Sequence, residues 1–244
     1  LRWYRRAADA NHPDALYNVG TLLYEGERVA ANKPAAVDCF ERASKLGDAS
    51  AAYFLGYLHH VGDSEAGVRP SPVRATQYLS AAADAGHADA AYYLAQLFRS
   101  GAIEPTERVE PDSDAFWRYL KRAQELECGA AFLAEGDVWF HGTDGKEVDL
   151  RRARQCYEKA AALGTRRAMV NLGAMYFSGV GVEQDYERAF RLYERAGELG
   201  YGRAWAHVAT MYASGLGIPK CEQTARHVLG LLESGAFDSY DDEE

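Results

Sequence analysis

Three sets of residues in this chain are of types that do chemistry elsewhere. The first is Gly179-Val180-Gly181, inside YFSGVGVEQD (176–185). A glycine-rich turn that opens a helix can aim backbone N–H groups at a phosphate. The second is His59-His60, a candidate metal pair, and the third is the set of four cysteines, Cys39, Cys128, Cys156 and Cys221. Each set lacks the partners its chemistry needs. The glycines are not part of a G-x-x-x-x-G-K loop ending in Ser or Thr, and no predicted strand feeds them. Adjacent helical residues point roughly 100° apart, so two neighbouring histidines make no chelating face, and HExxH is absent. The cysteines show no CxxC pairing and no disulfide or zinc spacing. Neither a GxSxG elbow nor an SxxK pair supplies a nucleophile. The residues therefore predict no enzyme activity, no cofactor and no metal site.

The elements that carry these residues explain them better. SGVGVEQ recurs as SGLGIPK (214–220) in the same sequence phase, and that phase extends over the chain. ALYNVGTLLYEG (15–26) returns as AAYFLGYLHHVG (51–62), AAYYLAQLFRSG (90–101), AFLAEGDVWFHG (131–142), AMVNLGAMYFSG (168–179) and AWAHVATMYASG (204–215). The alanines at 15, 51, 90, 131, 168 and 204 lie 36, 39, 41, 37 and 36 residues apart, and each block closes on a glycine. Self-similarity at this period marks a solenoid of one repeated supersecondary piece. Each block is followed by a second amphipathic segment such as AVDCFERA (36–43) or AFRLYERA (189–196), with apolar residues spaced for one helical face. Two helices, A and B, thus pair in antiparallel fashion. Small residues at the sixth position of helix A (Gly20, Gly56, Ala95, Gly136, Gly173, Ala209) predict close approach of helix B. The glycine-rich loop becomes the connector from A to B, and its glycines end a helix. His59 falls on an aromatic packing position shared with Phe98, Trp139, Tyr176 and Tyr212, while Cys39 and Cys156 fall on a core position of helix B.

The domain expectation is one repeat domain over 1–237, with a half repeat at 1–14 and repeats starting at 15, 51, 90, 131, 168 and 204, followed by an acidic tail at 238–244. The formal net charge is −9, and five acids of that tail account for five of the nine charges. An acidic body argues against nucleic acid, which needs clustered Lys and Arg. No apolar run reaches the ~18–20 residues of a membrane-spanning helix, so direct membrane insertion is not expected. Cysteine usage without pairing, together with the absence of an N-x-S/T sequon, favours an intracellular, reducing compartment. Leu1 is not a Met and opens inside a helix, so a targeting segment is not observable.

The pattern A-x-x-x-L-G-x-x-Y-x-x-G, a short loop, then an amphipathic B helix resembles the Sel1-like repeat, a relative of the tetratricopeptide repeat. Residues 168–200 match it best; Ala95, Ala209 and Glu127 depart from its glycines. The resemblance implies an all-α, right-handed α-solenoid of antiparallel helix pairs. It also implies a curved surface that binds other proteins, as a non-catalytic scaffold, an adaptor or a subunit of a large assembly. The alternative it leaves open is a substrate-docking or regulatory repeat domain of a larger enzyme whose catalytic part lies upstream of Leu1.

In such a solenoid, helix A lines the concave side, and positions four, seven and eleven turn away from the A/B seam. The candidate partner-binding residues chosen from those positions are Asn18, Phe54, Tyr57, Tyr93, Gln96, Asp137, Asn171 and His207. Phe54, Tyr57 and Tyr93 stand out, because exposed aromatics are common anchors of bound peptides. Two long connectors, DSEAGVRPSP (63–72) and AIEPTERVEPD (102–112), form a second candidate edge; Glu104, Glu107, Glu110 and Asp112 there would suit a basic partner.

Overall fold

The computed structural model describes residues 2–103, 108–109 and 111–236. Glu104, Glu107, Glu110 and the tail at 238–244 lie outside the described residues. The fold is all-α, an α-solenoid of helix pairs, and among the described residues it has thirteen helices. The chain is built as two compact units, Leu1–Glu127 and Cys128–Glu244. In the first, α1 (Arg2–Asp9) is the half repeat, followed by the pairs α2 (Pro13–Glu25)/α3 (Lys33–Lys45), α4 (Ala49–Val61)/α5 (Pro72–Asp84) and α6 (Ala88–Ser100)/α7 (Ser113–Glu125). A two-residue antiparallel ladder, β1 (Ala102–Ile103) with β2 (Arg108–Val109), sits in the α6–α7 connector. The second unit holds α8 (Gly129–His141)/α9 (Leu150–Ala162), α10 (Arg166–Ser178)/α11 (Tyr186–Glu198) and α12 (Ala204–Ser214)/α13 (Glu222–Glu233).

The repeat phase is the core phase. Ala15, Ala51, Ala90, Ala131, Ala168 and Ala204 are all buried. Beside them, large B-helix side chains fill the seam: Phe40, Leu79, Phe116 and Leu120 in the first unit, Tyr157 and Tyr193 in the second. The helix-A glycines accept these side chains. A Cβ built on Gly20, Gly56 or Gly136 would lie 2.6 Å from Phe40, Leu79 or Tyr157, and one on Gly173 would lie 2.8 Å from Tyr193. Four glycines in helix interiors, each about 1 kcal/mol less favourable there than alanine, are offset by the contact of a ring or branched side chain with bare backbone.

The connectors share one closing contact whatever their length. The backbone N–H of the residue preceding helix B donates to the ninth-position carbonyl of helix A. The pairs are Asn32 to Leu23, Ser71 to His59, Asp112 to Phe98, Asp149 to Trp139, Asp185 to Tyr176 and Cys221 to Tyr212, at 2.6–2.9 Å. Extra residues bulge out between these two fixed points, so insertions leave the A/B register intact. The Gly179 loop is one of the six. Gly179 caps α10 in the left-handed conformation with its N–H on the Met175 carbonyl, and a Cβ on Gly181 would meet Leu150.

Between repeats, helix B hands over to helix A through a left-handed residue. Gly47, Gly86, Gly164 and Gly200 fill it with φ of 89–94°, whereas Asn11 and Glu127 take φ of 57° and 59°. A Cβ in this region costs about 1–2 kcal/mol, and Asn tolerates it better than Glu does. Glu127→Gly is therefore expected to raise stability by about 1 kcal/mol, the strain relieved less the unfolded-state entropy that glycine adds. Asn11→Gly should be nearly neutral. Urea-unfolding midpoints of the two variants check this; equal midpoints for the parent chain and Glu127→Gly would contradict it.

Candidate partner-binding face

In the first unit the helix-A face of α4 and α6 carries a run of five rings. His87, the N-cap of α6, stacks on Tyr53 of α4 with centroids 4.5 Å apart and 20° between planes. Tyr53 meets Tyr93 edge-on at 6.4 Å, Tyr93 meets Tyr57 at 6.2 Å, and His60 packs edge-on to Tyr93 at 5.5 Å. The Tyr93 hydroxyl and His60 Nδ1 share a 2.6 Å hydrogen bond. Burial, then the neighbouring Tyr57 and Tyr53, pushes the Tyr93 phenol up to about 12. Tyr57 is the outermost ring, 41% exposed. The pieces fall together because α4 and α6 are successive A helices whose outward positions come into line.

Phe54 takes a different part from its neighbours. Its ring lies 4.7 Å from Phe40 and 5.0 Å, edge-on, from Tyr24, packed against Leu58, Ala66 and Val68. The α4–α5 connector folds back over it, so Phe54 works in packing. Asp63 holds that connector in place. Its carboxylate accepts hydrogen bonds from the Tyr24 hydroxyl (2.6 Å), Lys33 Nζ (3.1 Å) and the amides of Glu65 and Ala66 (2.9 and 3.0 Å). The Tyr24 hydroxyl, then the Ala66 amide and Lys33, lower the Asp63 pKa from 3.8 to about 2. A carboxyl depressed in the fold contributes stability that is present above its unfolded pKa and lost as pH falls through its folded one. Asp63→Asn is therefore expected to cost about 1–2 kcal/mol at pH 7, and the gap from the parent chain should close between pH 4 and 2. Thermal midpoints of both proteins across pH 2–7 test it; a gap independent of pH would refute the assignment.

The remaining candidates are placed as follows. Asn18 is half-buried on α2 and donates to the Asp14 carbonyl of its own helix at 2.7 Å. Gln96 is half-buried on α6. In the second unit Asp137 and Asn171 come together. Asp137 Oδ1 accepts from the Tyr157 hydroxyl (2.8 Å) and Asn171 Nδ2 (3.2 Å), and Oδ2 faces Arg167 at 3.4 Å. Burial and then Asp137 push the Tyr157 phenol far above its ordinary value. Beside this cluster a cavity of about 240 Å³ is lined by Phe140, Tyr157, Asn171, Met175 and Val180. His207 is exposed on α12, its ring stacked on Tyr193 at 4.5 Å and 14°. Desolvation of the ring against its neighbours lowers its pKa.

Sequence reasoning named Tyr57 and Tyr93 but missed Tyr53, His60 and His87, which support them. The available signal was position: Tyr53 shares the third helix-A position with Tyr17 and Tyr92. The chemical candidates resolve as packing. His59 is 6% exposed and lies flat on Tyr78, 5.5 Å between centroids. None of the four cysteines is in a disulfide, and burial, then Glu135, pushes Cys156 up to about 12. Among the described residues no group of three or more His, Cys, Asp or Glu side chains could hold a metal ion. No described helix is long and apolar enough to cross a membrane.

Comparison with known proteins adds the relatives. The Sel1 repeat model matches residues 1–12, 13–48, 49–87, 129–165 and 166–201. The unmatched stretches contain the third and sixth repeats, where Ala95, Glu127 and Ala209 replace the usual glycines. The crystal structure of c5321, a protective antigen of uropathogenic Escherichia coli with an SLR fold, aligns with TM-score 0.81 and 25% identity over 96% of this chain and 48% of that one. A Sel1 repeat protein from Oxalobacter formigenes aligns with TM-score 0.80 and 26% identity, covering 93% of this chain and 89% of that one. Chitin synthase regulatory factor 2 of Schizosaccharomyces pombe is 30% identical over 174 residues, 70% of this chain and 29% of that protein. The chain spans 26–36% of the length of the curated relatives it matches.

Proposed function

Because the chain belongs to the Sel1 repeat family, we propose that it is a protein-interaction scaffold or adaptor, working without chemistry of its own, whose helix-A faces capture a segment of another protein. The family's fold is typically a non-catalytic interaction module, and this implies protein partners. The observation that carries the specific reading is the ring run on α4 and α6. Tyr57 stands outermost on a base of Tyr93, Tyr53 and His60 whose geometry is already fixed by stacking and a hydrogen bond. Rigid, amphipathic rings of this kind lose little conformational entropy on binding and serve as anchors. Asn18 and Gln96 extend the same kind of surface in the first unit, and Asn171, Asp137 and His207 do so in the second.

The test is affinity purification of the chain from its own cells with identification by mass spectrometry, repeated with Tyr57→Ala. Partners retained by the parent chain and lost by the variant support the face. A partner set that the substitution leaves unchanged removes it.

A second reading is favoured by the match to a chitin synthase regulatory factor. The repeats would then dock on an enzyme and set its rate, within a larger protein or complex. An enzyme among the captured partners, with turnover that changes when the chain is added back, would select this reading.

A further inference from the structure

A cavity of about 500 Å³ opens beside the α4–α5 connector in the first unit, within the ~300–1,000 Å³ of small-molecule sites. Its walls divide by chemistry. Val37 of α3 and Val68 and Pro70 of the connector are apolar, and Arg69 and Arg74 stand exposed at the edge. Among the described residues neither guanidinium makes an ion pair. His59 lines the same space. It is 94% removed from solvent, and its Nδ1 has no hydrogen-bond partner. A buried imidazole nitrogen without a partner is destabilising, and a ligand reaching it would relieve that cost. The connector forming the mouth is held in shape by the Asp63 hydrogen bonds and the Asp63–Val68 bridge.

We infer that this cavity is a binding site for a carboxylate carried on a small apolar body, with Arg69 and Arg74 holding the carboxylate and His59 Nδ1 completing its contacts. Glu41, on the α3 wall, sets the charge class. It would repel a phosphate dianion more strongly than a single carboxylate facing two guanidinium groups. The apolar wall accepts the ligand's body, so a bare ion uses only half of the site. The chemistry is shared by a free organic acid and by the C-terminus of a peptide.

His59 couples occupancy to protons. A carboxylate at Nδ1 favours the imidazolium form, which carries a proton on both ring nitrogens. Burial disfavours that form; Arg74 opposes it and Glu41 favours it. Tyr78, stacked on the other face of the ring, is neutral with a pKa raised by burial. A carboxylate at Nδ1 supplies the missing counter-charge, so binding takes up a proton and should tighten about threefold or more from pH 8 to pH 6.

The experiment titrates the full chain with 4-methylpentanoate and follows backbone amides of Val68–Arg74 by NMR. Shifts with the acid but not with its methyl ester are expected, together with at least tenfold weaker binding in Arg69→Gln and Arg74→Gln. Both substitutions are on exposed side chains, so folding is not at stake. His59→Phe keeps the ring stack on Tyr78 and should abolish the pH dependence. A tripeptide with a free C-terminus binding tenfold tighter than the acid assigns the site to peptides, and equal binding assigns it to small acids. The inference fails if millimolar acid moves no amide in this stretch, or if ester or inorganic phosphate binds equally well. It also fails if both arginine variants bind as the parent chain does.

Discussion

Gly136→Val is expected to lower the stability of the second unit by about 3 kcal/mol, enough to move a thermal midpoint by about 10 °C. A Cβ at this position would lie 2.6 Å from both Cδ1 and Cε1 of Tyr157 and 3.3 Å from the Cys156 Cβ. The ring is 2% exposed and tied through its hydroxyl to Asp137, so a shift toward the neighbouring cavity strains that hydrogen bond. Helix propensity works the other way, since leaving glycine gains up to about 1 kcal/mol. Overpacking of about 1–3 kcal/mol, plus about 1–3 kcal/mol where the Tyr157 hydroxyl is pulled from its carboxylate, outweighs that gain. Gly136→Ala should show the same sign at about 1–2 kcal/mol. Its cost should shrink when Tyr157→Ala is added, because the ring that the new Cβ would meet is then gone. A double-mutant cycle on this pair is expected to return at least ~1 kcal/mol of coupling. A Gly136→Val midpoint equal to that of the parent chain would mean that the seam is not held by this contact.

That seam is also where the sequence was most legible. The phase-defining alanines are buried, the sixth-position glycines meet B-helix side chains, and His59 occupies the aromatic position assigned to it. These features repeat, and repetition converts spacing into geometry. The connectors do not repeat, and they are where the reading ran out. Position four of helix A looks outward in a regular repeat, but at Phe54 the inserted connector returns with Ala66 and Val68 and covers the ring. The anchor of that connector, Asp63, is 39 residues from Tyr24 and 30 from Lys33, separations that no local pattern reports. The Asp137–Asn171 contact, 34 residues apart, was nearer to hand. Its two positions face each other whenever successive A helices pack at the repeat spacing.

Phe54 and Tyr57 lie three residues apart on α4, and substituting each by alanine is expected to fail in opposite ways. Phe54→Ala removes a ring packed between Phe40 and Tyr24 and should cost about 2–4 kcal/mol of stability, set by how far the connector can collapse into the space. At temperatures where the variant remains folded, its affinity for the partner should be little changed. Tyr57→Ala removes a ring that is 41% exposed and packs at one edge on Tyr93. Its effect on stability should stay within about 0.5 kcal/mol, while affinity for the captured partner should drop about 30-fold or more, as for an anchor worth at least ~2 kcal/mol. Tyr93→Phe belongs between the two. It keeps the ring under Tyr57 but removes the hydroxyl that bonds His60, so the anchor should loosen and affinity fall by less than for Tyr57→Ala. Denaturation midpoints and calorimetric titration with the purified partner separate the three. Tyr57→Ala binding at the strength of the parent chain would move the interface off α4 and α6, and a large stability loss in that variant would make Tyr57 a packing residue like Phe54.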